Sequence, residues 1–360
     1  MSAGYKKRPD NKSETAVCDL LIGGQKPNYK LLPLITGVSV DLGLDKMGML
    51  TLEMESYDEE KGETDWMDSD LLDVGKEVEV KMGYGNKLKS LFFGDIMGIN
   101  ASFSSAGAPT LMVRAYDRRH RLEKHTESRR FEKKKYSDIA RDIASYWKLK
   151  PQVDDSLVVH EYVEKSNQSD LEFLERLARE INYQVIIAGR NLLFERARND
   201  SGDVMTLTLE KDLIDFSADL SLAAQPSEVI VHGWDPEEKK EIVSQANAGS
   251  EGSKMGGKQS ASQLNKKLFG DSVTVVSDHP VRTQAEADQL AKALLNQMAL
   301  GLIEASGSMM GSTDLLPGKV IKIEGAGKRF SGRYYVTGVI HRLDQQNGYS
   351  TRFTARRNAL

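Results

Sequence analysis

The chain has 360 residues, 39% hydrophobic and 28% charged, with a formal net charge of −4. That profile belongs to a globular protein with room for two or three domains. No apolar run reaches the length that spans a bilayer, and the opening stretch MSAGYKKRPDNKSE lacks the apolar core of a signal peptide. The single cysteine, Cys18, excludes an internal disulfide and a cysteine-cluster metal site. The expectation is synthesis and assembly in the cytoplasm, with no cofactor and no membrane-spanning segment.

The first part reads as strands. Apolar and polar residues alternate over Met49–Ser56 and Lys76–Gly83, and Leu91–Phe103 with Thr110–Tyr116 form a hairpin pattern. Short strands punctuated by glycine suggest an antiparallel β-barrel over residues 1–125. The acidic run Asp58–Asp73 reads as a solvated loop anchored by Trp66, Leu71 and Leu72. Within it, Asp65–Asp70 lacks the central glycine and final glutamate of a calcium loop. The basic run Asp117–Lys135 carries nine Lys/Arg against four acids. Phe131 is its one aromatic, so it offers no stacking platform for single strands, and nucleic-acid binding is not expected.

Over 126–200 the period changes to that of a small α/β domain. Ile139, Ile143 and Trp147 recur four apart behind Ser137 as N-cap, and Ser169–Glu172 is a capping box opening a helix that buries Phe173, Leu174, Leu177 and Ile181. Tyr183–Ala188 and Asn191–Glu195 then read as a hairpin about Gly189-Arg190.

Residues 201–360 return to strands and suggest a second β-barrel domain. A helix at 284–299, capped by Thr283 and Glu286, interrupts them. The Gly/Ser/Gln-rich stretch 246–265 has no periodicity and is expected to be a flexible loop. The chain closes on a hairpin, Gly332–Arg357, turning at Gln345–Gly348, where Asn347 and Gly348 would supply positive φ angles. On its returning strand Arg352, Thr354 and Arg356 share one face.

The most informative feature is an internal repeat. Gly75–Gly85 (GKEVEVKMGYG) resembles Gly318–Gly327 (GKVIKIEGAG). Phe92-Phe93 precedes Gly98 as Tyr334-Tyr335 precedes Gly338, and Ala115 follows Gly98 at the same interval as Ala355 follows Gly338. The fold expected is therefore β-rich α+β: two related antiparallel β-barrel domains with a small α/β domain between them.

No catalytic set emerges. The six histidines form no metal-ligand pattern, and Gly252–Lys258 fits a phosphate loop only until Gln259, where Ser or Thr is required. An enzyme is not expected. A cell-wall hydrolase would need a paired-carboxylate or histidine site that the chain does not offer. A nucleic-acid-binding barrel, using the basic run, would bind in a salt-dependent way.

Trp66-x-Asp68-Ser-Asp70-Leu71 followed by Gly75–Gly85 and Phe93-Gly-Asp-Ile resembles the phage late control protein D family. So do Tyr136-Ser-Asp-Ile-Ala-Arg141, Gln168-Ser-Asp-x-x-Phe173 and the Gly332–Arg357 ending. The family is similar to the N-terminal part of type VI secretion VgrG spikes. The resemblance implies a baseplate hub: a homotrimer joining a hexameric inner tube protein to a spike protein, among other baseplate proteins, in a virion tail or injection-system particle. With no needle region after Leu360, the spike is expected to be a separate polypeptide. Partner-contact candidates are Arg352, Arg356, Arg118, Arg119 and Arg121, with Trp66, Asp68 and Asp70.

Overall fold

The computed structural model describes residues 15–27, 31–56, 66–105 and 107–360. The opening stretch and the Asp58–Asp65 part of the acidic run therefore lie outside the described residues. Six strands come first: β1 (Ala16–Ile22), β2 (Ile35–Gly43), β3 (Met49–Glu55), β4 (Glu77–Tyr84), β5 (Lys87–Ser104) and β6 (Gly107–Asp117). Their alternation sends Val38, Val40, Leu50, Leu52, Val78 and Val80 into one core and their polar neighbours outward.

A short helix, α1 (Arg119–Glu123), leads into a unit made of β7 (Thr126–Lys134), α2 (Tyr136–Tyr146), β8 (Lys150–Val153), β9 (His160–Ser169), α3 (Asp170–Glu180), β10 (Tyr183–Ala188) and β11 (Asn191–Arg196). Ile139, Ile143, Phe173, Leu174 and Leu177 meet in its core. The capping box of α3 is in place: Glu172 N donates to Ser169 Oγ at 3.1 Å and Ser169 N to Glu172 Oε2 at 2.8 Å. The N-cap of α2 is Lys135, not Ser137. Ser137 lies inside the first turn, where its N–H donates to Ser156 Oγ at 3.1 Å.

The rest comprises β12 (Asp203–Thr208), β13 (Leu213–Leu220), β14 (Glu228–Asp235), β15 (Lys240–Asn247), α4 (Ala261–Phe269), β16 (Val273–Val276), α5 (Gln284–Ala299), β17 (Ile303–Met310), β18 (Val320–Glu324), α6 (Gly327–Phe330), β19 (Gly332–Asp344) and β20 (Gly348–Arg357). Strands β14–β16 and helix α5 build a separate small core around Val229, Val231, Ile242 and Leu290, inserted between β13 and β17.

One twelve-stranded sheet takes strands from both ends of the chain. The first set runs β1-β4-β5-β6-β3-β2, the second β12-β18-β19-β20-β17-β13, and β2 pairs with β19 to join them. The sets share two irregularities at matching places. Ile96 faces Ala115 and Gly98 faces Arg114, skipping Met97; Val336 faces Ala355 and Gly338 faces Thr354, skipping Thr337. A second bulge lies between Ile35 and Gly37 in β2 and between Leu213 and Asp215 in β13. A bulge adds one residue and bends its strand, so identical bulges at identical places mark one design used twice. The copies depart at one edge, where β1 is antiparallel to β4 but β12 is parallel to β18.

The two barrels expected from the sequence are not present. Closure requires the outer strands of a set to pair with each other. Among the described residues β1 pairs with β4 alone and β13 with β17 alone, while the second edge of β2 is taken by β19. The fold is mixed α+β around large open antiparallel sheets. Alternation and turn glycines are the same in an open sheet and a barrel, so local sequence does not distinguish them.

Two smaller expectations also change. The 246–265 stretch ends β15, buries Met255 and starts α4, whose capping box joins Ser260 and Gln263. At the turn of the closing hairpin, Gln345–Gly348, only Gly348 takes a positive φ, +69°; Asn347 does not. No described helix is long and apolar enough to cross a membrane.

Candidate assembly surface

The outer face of the joined sheet is polar. Strand register carries Arg114 across to Thr51, Ser39, Arg342 and Ser350. The neighbouring row runs Asp41, Ile340, Arg352, Ser308 and Asp215. Arg352, Thr354 and Arg356 are all exposed here, while Thr351, Phe353 and Ala355 are buried. The shared face read from the sequence is therefore real.

Several of its charges are already matched. Arg342 donates twice to Glu53, at 3.2 and 2.9 Å, and once to Asp344 at 3.0 Å. Arg356 pairs with Glu304 at 3.0 Å and Lys46 with Asp41 at 2.6 Å. By contrast, Arg352 and Arg114 make no ion pair among the described residues; Arg114 donates to Met112 Sδ at 3.3 Å. A guanidinium without an ion pair on a solvent face keeps most of its five donors for a partner. Beside Arg352 the Gly338 bulge opens a groove of about 430 Å³, also lined by Asp41, Lys46, Asp215 and Thr354.

The arginines of the basic run do different work. Arg119 is buried and donates to the carbonyls of Gly43 at 3.2 Å, Leu44 at 3.4 Å and Lys46, tying α1 to the loop after β2. Arg118 is buried as well, paired with Glu77 and stacked over Phe93 at 4.9 Å. Neither offers a surface. Arg121 is half-exposed and grips Asp95 with two N–H donors, at 2.7 and 2.8 Å, while His120 Nε2 meets the same carboxylate at 2.7 Å. Burial alone would raise the Asp95 carboxyl; the hydrogen bonds from His120 and Arg121 outweigh it and hold it well below the usual carboxylate range.

Trp66 packs against the first core, and Asp68 and Asp70 are exposed beside it. Ser69 caps the short 3₁₀ turn Asp70–Leu72, its Oγ accepting from Leu71 N at 3.3 Å. Neither carboxylate lies on a strand of the sheet.

Sequence reasoning missed Arg114, although the repeat pointed at it. Arg114 matches Thr354, two places along the same strand face from Arg352. It also missed a cleft of about 190 Å³ between the α/β unit and the insertion. There His160 stacks on Tyr136 with ring centres 4.1 Å apart, and its Nδ1 meets Glu286 Oε1 at 2.9 Å. Arg176 holds Glu180 at 2.9 Å, and the Tyr136 hydroxyl donates to the same carboxylate. Glu286 was legible only as a helix cap, a role it also fills by accepting from Thr283 N at 3.3 Å, beside a second bond from Arg282 N at 2.8 Å. No spacing ties residue 160 to residue 286. Among the described residues no group of three or more His, Cys, Asp or Glu could hold a metal ion. The cleft reads as a latch between two units.

The chain matches the family described as the Alg8 N-terminal domain over residues 13–345. No curated protein matches it by sequence. Among solved structures, a tail protein from Neisseria meningitidis MC58 superposes with a TM-score of 0.71 at 12% identity, covering 95% of this chain and 97% of its own. The 43 kDa tail protein of prophage MuSo2 from Shewanella oneidensis gives 0.73 at 13% identity, with coverage of 95% and 98%. The E. coli c3393 protein, described as a component of the type VI secretion system, gives 0.59 at 14% identity, with coverage of 90% and 74%. At these identities the likeness is one of fold.

Proposed function

The chain belongs to the Alg8 N-terminal domain family, and we propose that it is the baseplate hub of a contractile tail or phage-like injection particle, of the late control protein D kind. In this reading three copies join a six-fold inner tube to a three-fold spike and associate with other baseplate proteins. The chain is made in the cytoplasm and built into the particle. The role is mechanical: seat the tube, hold the spike, and travel with both when the sheath contracts.

The observation that carries this reading is the duplicated six-stranded set with its two matched bulges. A chain with two like surfaces, present three times around an axis, offers six like seats to a hexameric ring. The fold shared with tail proteins supports the setting. The test is stoichiometry: particles purified by their sheath should contain three copies per tail at the tube's spike-proximal end. Copies spread along the tube, or any number other than three, would refute the hub.

A further inference from the structure

The joint between the two repeats is a strand pairing of β2 against β19, with Gly338 opposite Gly43, Ile340 opposite Asp41 and Leu343 opposite Val38. In repeat terms β19 corresponds to β5 and β2 to β13, so Ile340 matches Asn100 and Asp41 matches Asp219. The two edges that correspond to this joint are unmatched among the described residues. Strand β4 accompanies β5 only as far as Asp95, which leaves that edge of Gly98–Phe103 without a neighbour. Strand β13 pairs with β17 and no other strand. Both segments expose apolar side chains: Phe103 is 69% exposed, Ile99 39% and Ile214 69%. A strand edge with unpaired backbone and apolar side chains is a template for another strand.

We infer that β13 of one copy pairs, antiparallel, with Gly98–Phe103 of β5 in a second copy, repeating between chains the β2–β19 joint made within one. Carrying the register across places Asn100 opposite Asp219, Ala101 opposite Ala218 and Phe103 opposite Phe216. Each chain then offers two different edges, so contacts run head to tail and stop only when a ring closes. The number of copies rests on the hub reading: three chains close a ring of six repeats. This joint also explains why neither set closes on itself. The outer strands are kept for a neighbour.

Cysteine pairs on a Cys18→Ser background test the register. Directly opposite residues on antiparallel strands have Cβ atoms about 4.5–5.5 Å apart, close enough to bridge. Ala101→Cys with Ala218→Cys, or Asn100→Cys with Asp219→Cys, should form reducible cross-links between chains that end at a closed ring. The off-register combination, Ala101→Cys with Asp219→Cys, points to opposite faces and should yield at least about tenfold less. In parallel, Ile99→Asp with Phe103→Asp should weaken self-association by about tenfold or more with an unchanged melting temperature. Cross-linking is run on the free full-length chain and on assembled particles. Copies that associate as trimers with no cross-link above the off-register control would overturn this joint and leave the hub standing. A chain that is single in the particle would overturn both.

Discussion

Gly98 and Gly338 occupy the same bulge in the two repeats, each facing the residue before a buried alanine, Ala115 or Ala355. Their surroundings differ. A Cβ at Gly338 would come within 2.8 Å of Thr354 Oγ1, whereas nothing lies within 4 Å of one at Gly98. Neither has the positive φ that only glycine favours. Gly338→Val should therefore cost about 1–3 kcal/mol by overpacking, and Gly98→Val should stay within about 0.5 kcal/mol in the free chain. Chemical denaturation of both variants measures the difference; equal costs would mean the bulges are not distinguished by Thr354.

His341 is fully buried in β19. Its Nε2 donates to Leu315 O at 3.1 Å, and its Nδ1 accepts from the Tyr349 hydroxyl at 3.0 Å. Burial pushes the imidazole down to about 4. Between pH 6.5 and about 4 the unfolded chain binds a proton that the folded chain refuses. Stability from this group is thus full above 6.5 and falls as pH is lowered, by on the order of 3 kcal/mol at the bottom of that window. His341→Gln should lower the melting temperature at pH 7 but flatten its fall between pH 6.5 and 4. An unchanged pH profile would show that other groups set it.

Arg119 and Arg352 are both candidates from the sequence, and their burial separates them. Arg119→Ala leaves three carbonyls without their donor and should cost about 2–4 kcal/mol. Arg352→Ala should stay within about 0.5 kcal/mol in the free chain while lowering particle yield. Arg356→Ala breaks an exposed pair with Glu304 and should behave the same way. Thermal melts and particle counts decide this; a destabilised Arg352→Ala would remove that residue from the docking face.

The His160–Glu286 contact is the test of the latch. Glu286→Gln keeps the shape and the acceptor toward Arg282 N but removes the charge facing the imidazole. Proteolysis or hydrogen exchange should then show the insertion opening more often, by about tenfold for a loss of roughly 1.5 kcal/mol. Exchange unchanged in α5 and β14 would show that apolar packing alone holds the unit.

The local elements and the repeat can be read from residue order alone. Helices α2, α3 and α5 were legible from their apolar stripes, the caps of α3 and α5 from Ser169, Glu172, Thr283 and Glu286, and the closing hairpin from its turn. Each of these signals acts within a few residues, where backbone geometry is set by immediate neighbours. The matched spacing around Gly98 and Gly338 revealed the repeat, and the structure shows a bulge at each of the two positions. Pairing over distance is set by the folded chain: β2 meets β19 rather than closing a barrel, and Arg119 turns inward while Arg352 turns out. An edge strand exposes the same backbone groups whichever partner takes them, and a charged side chain in a basic run carries no mark of the carbonyls waiting across the fold.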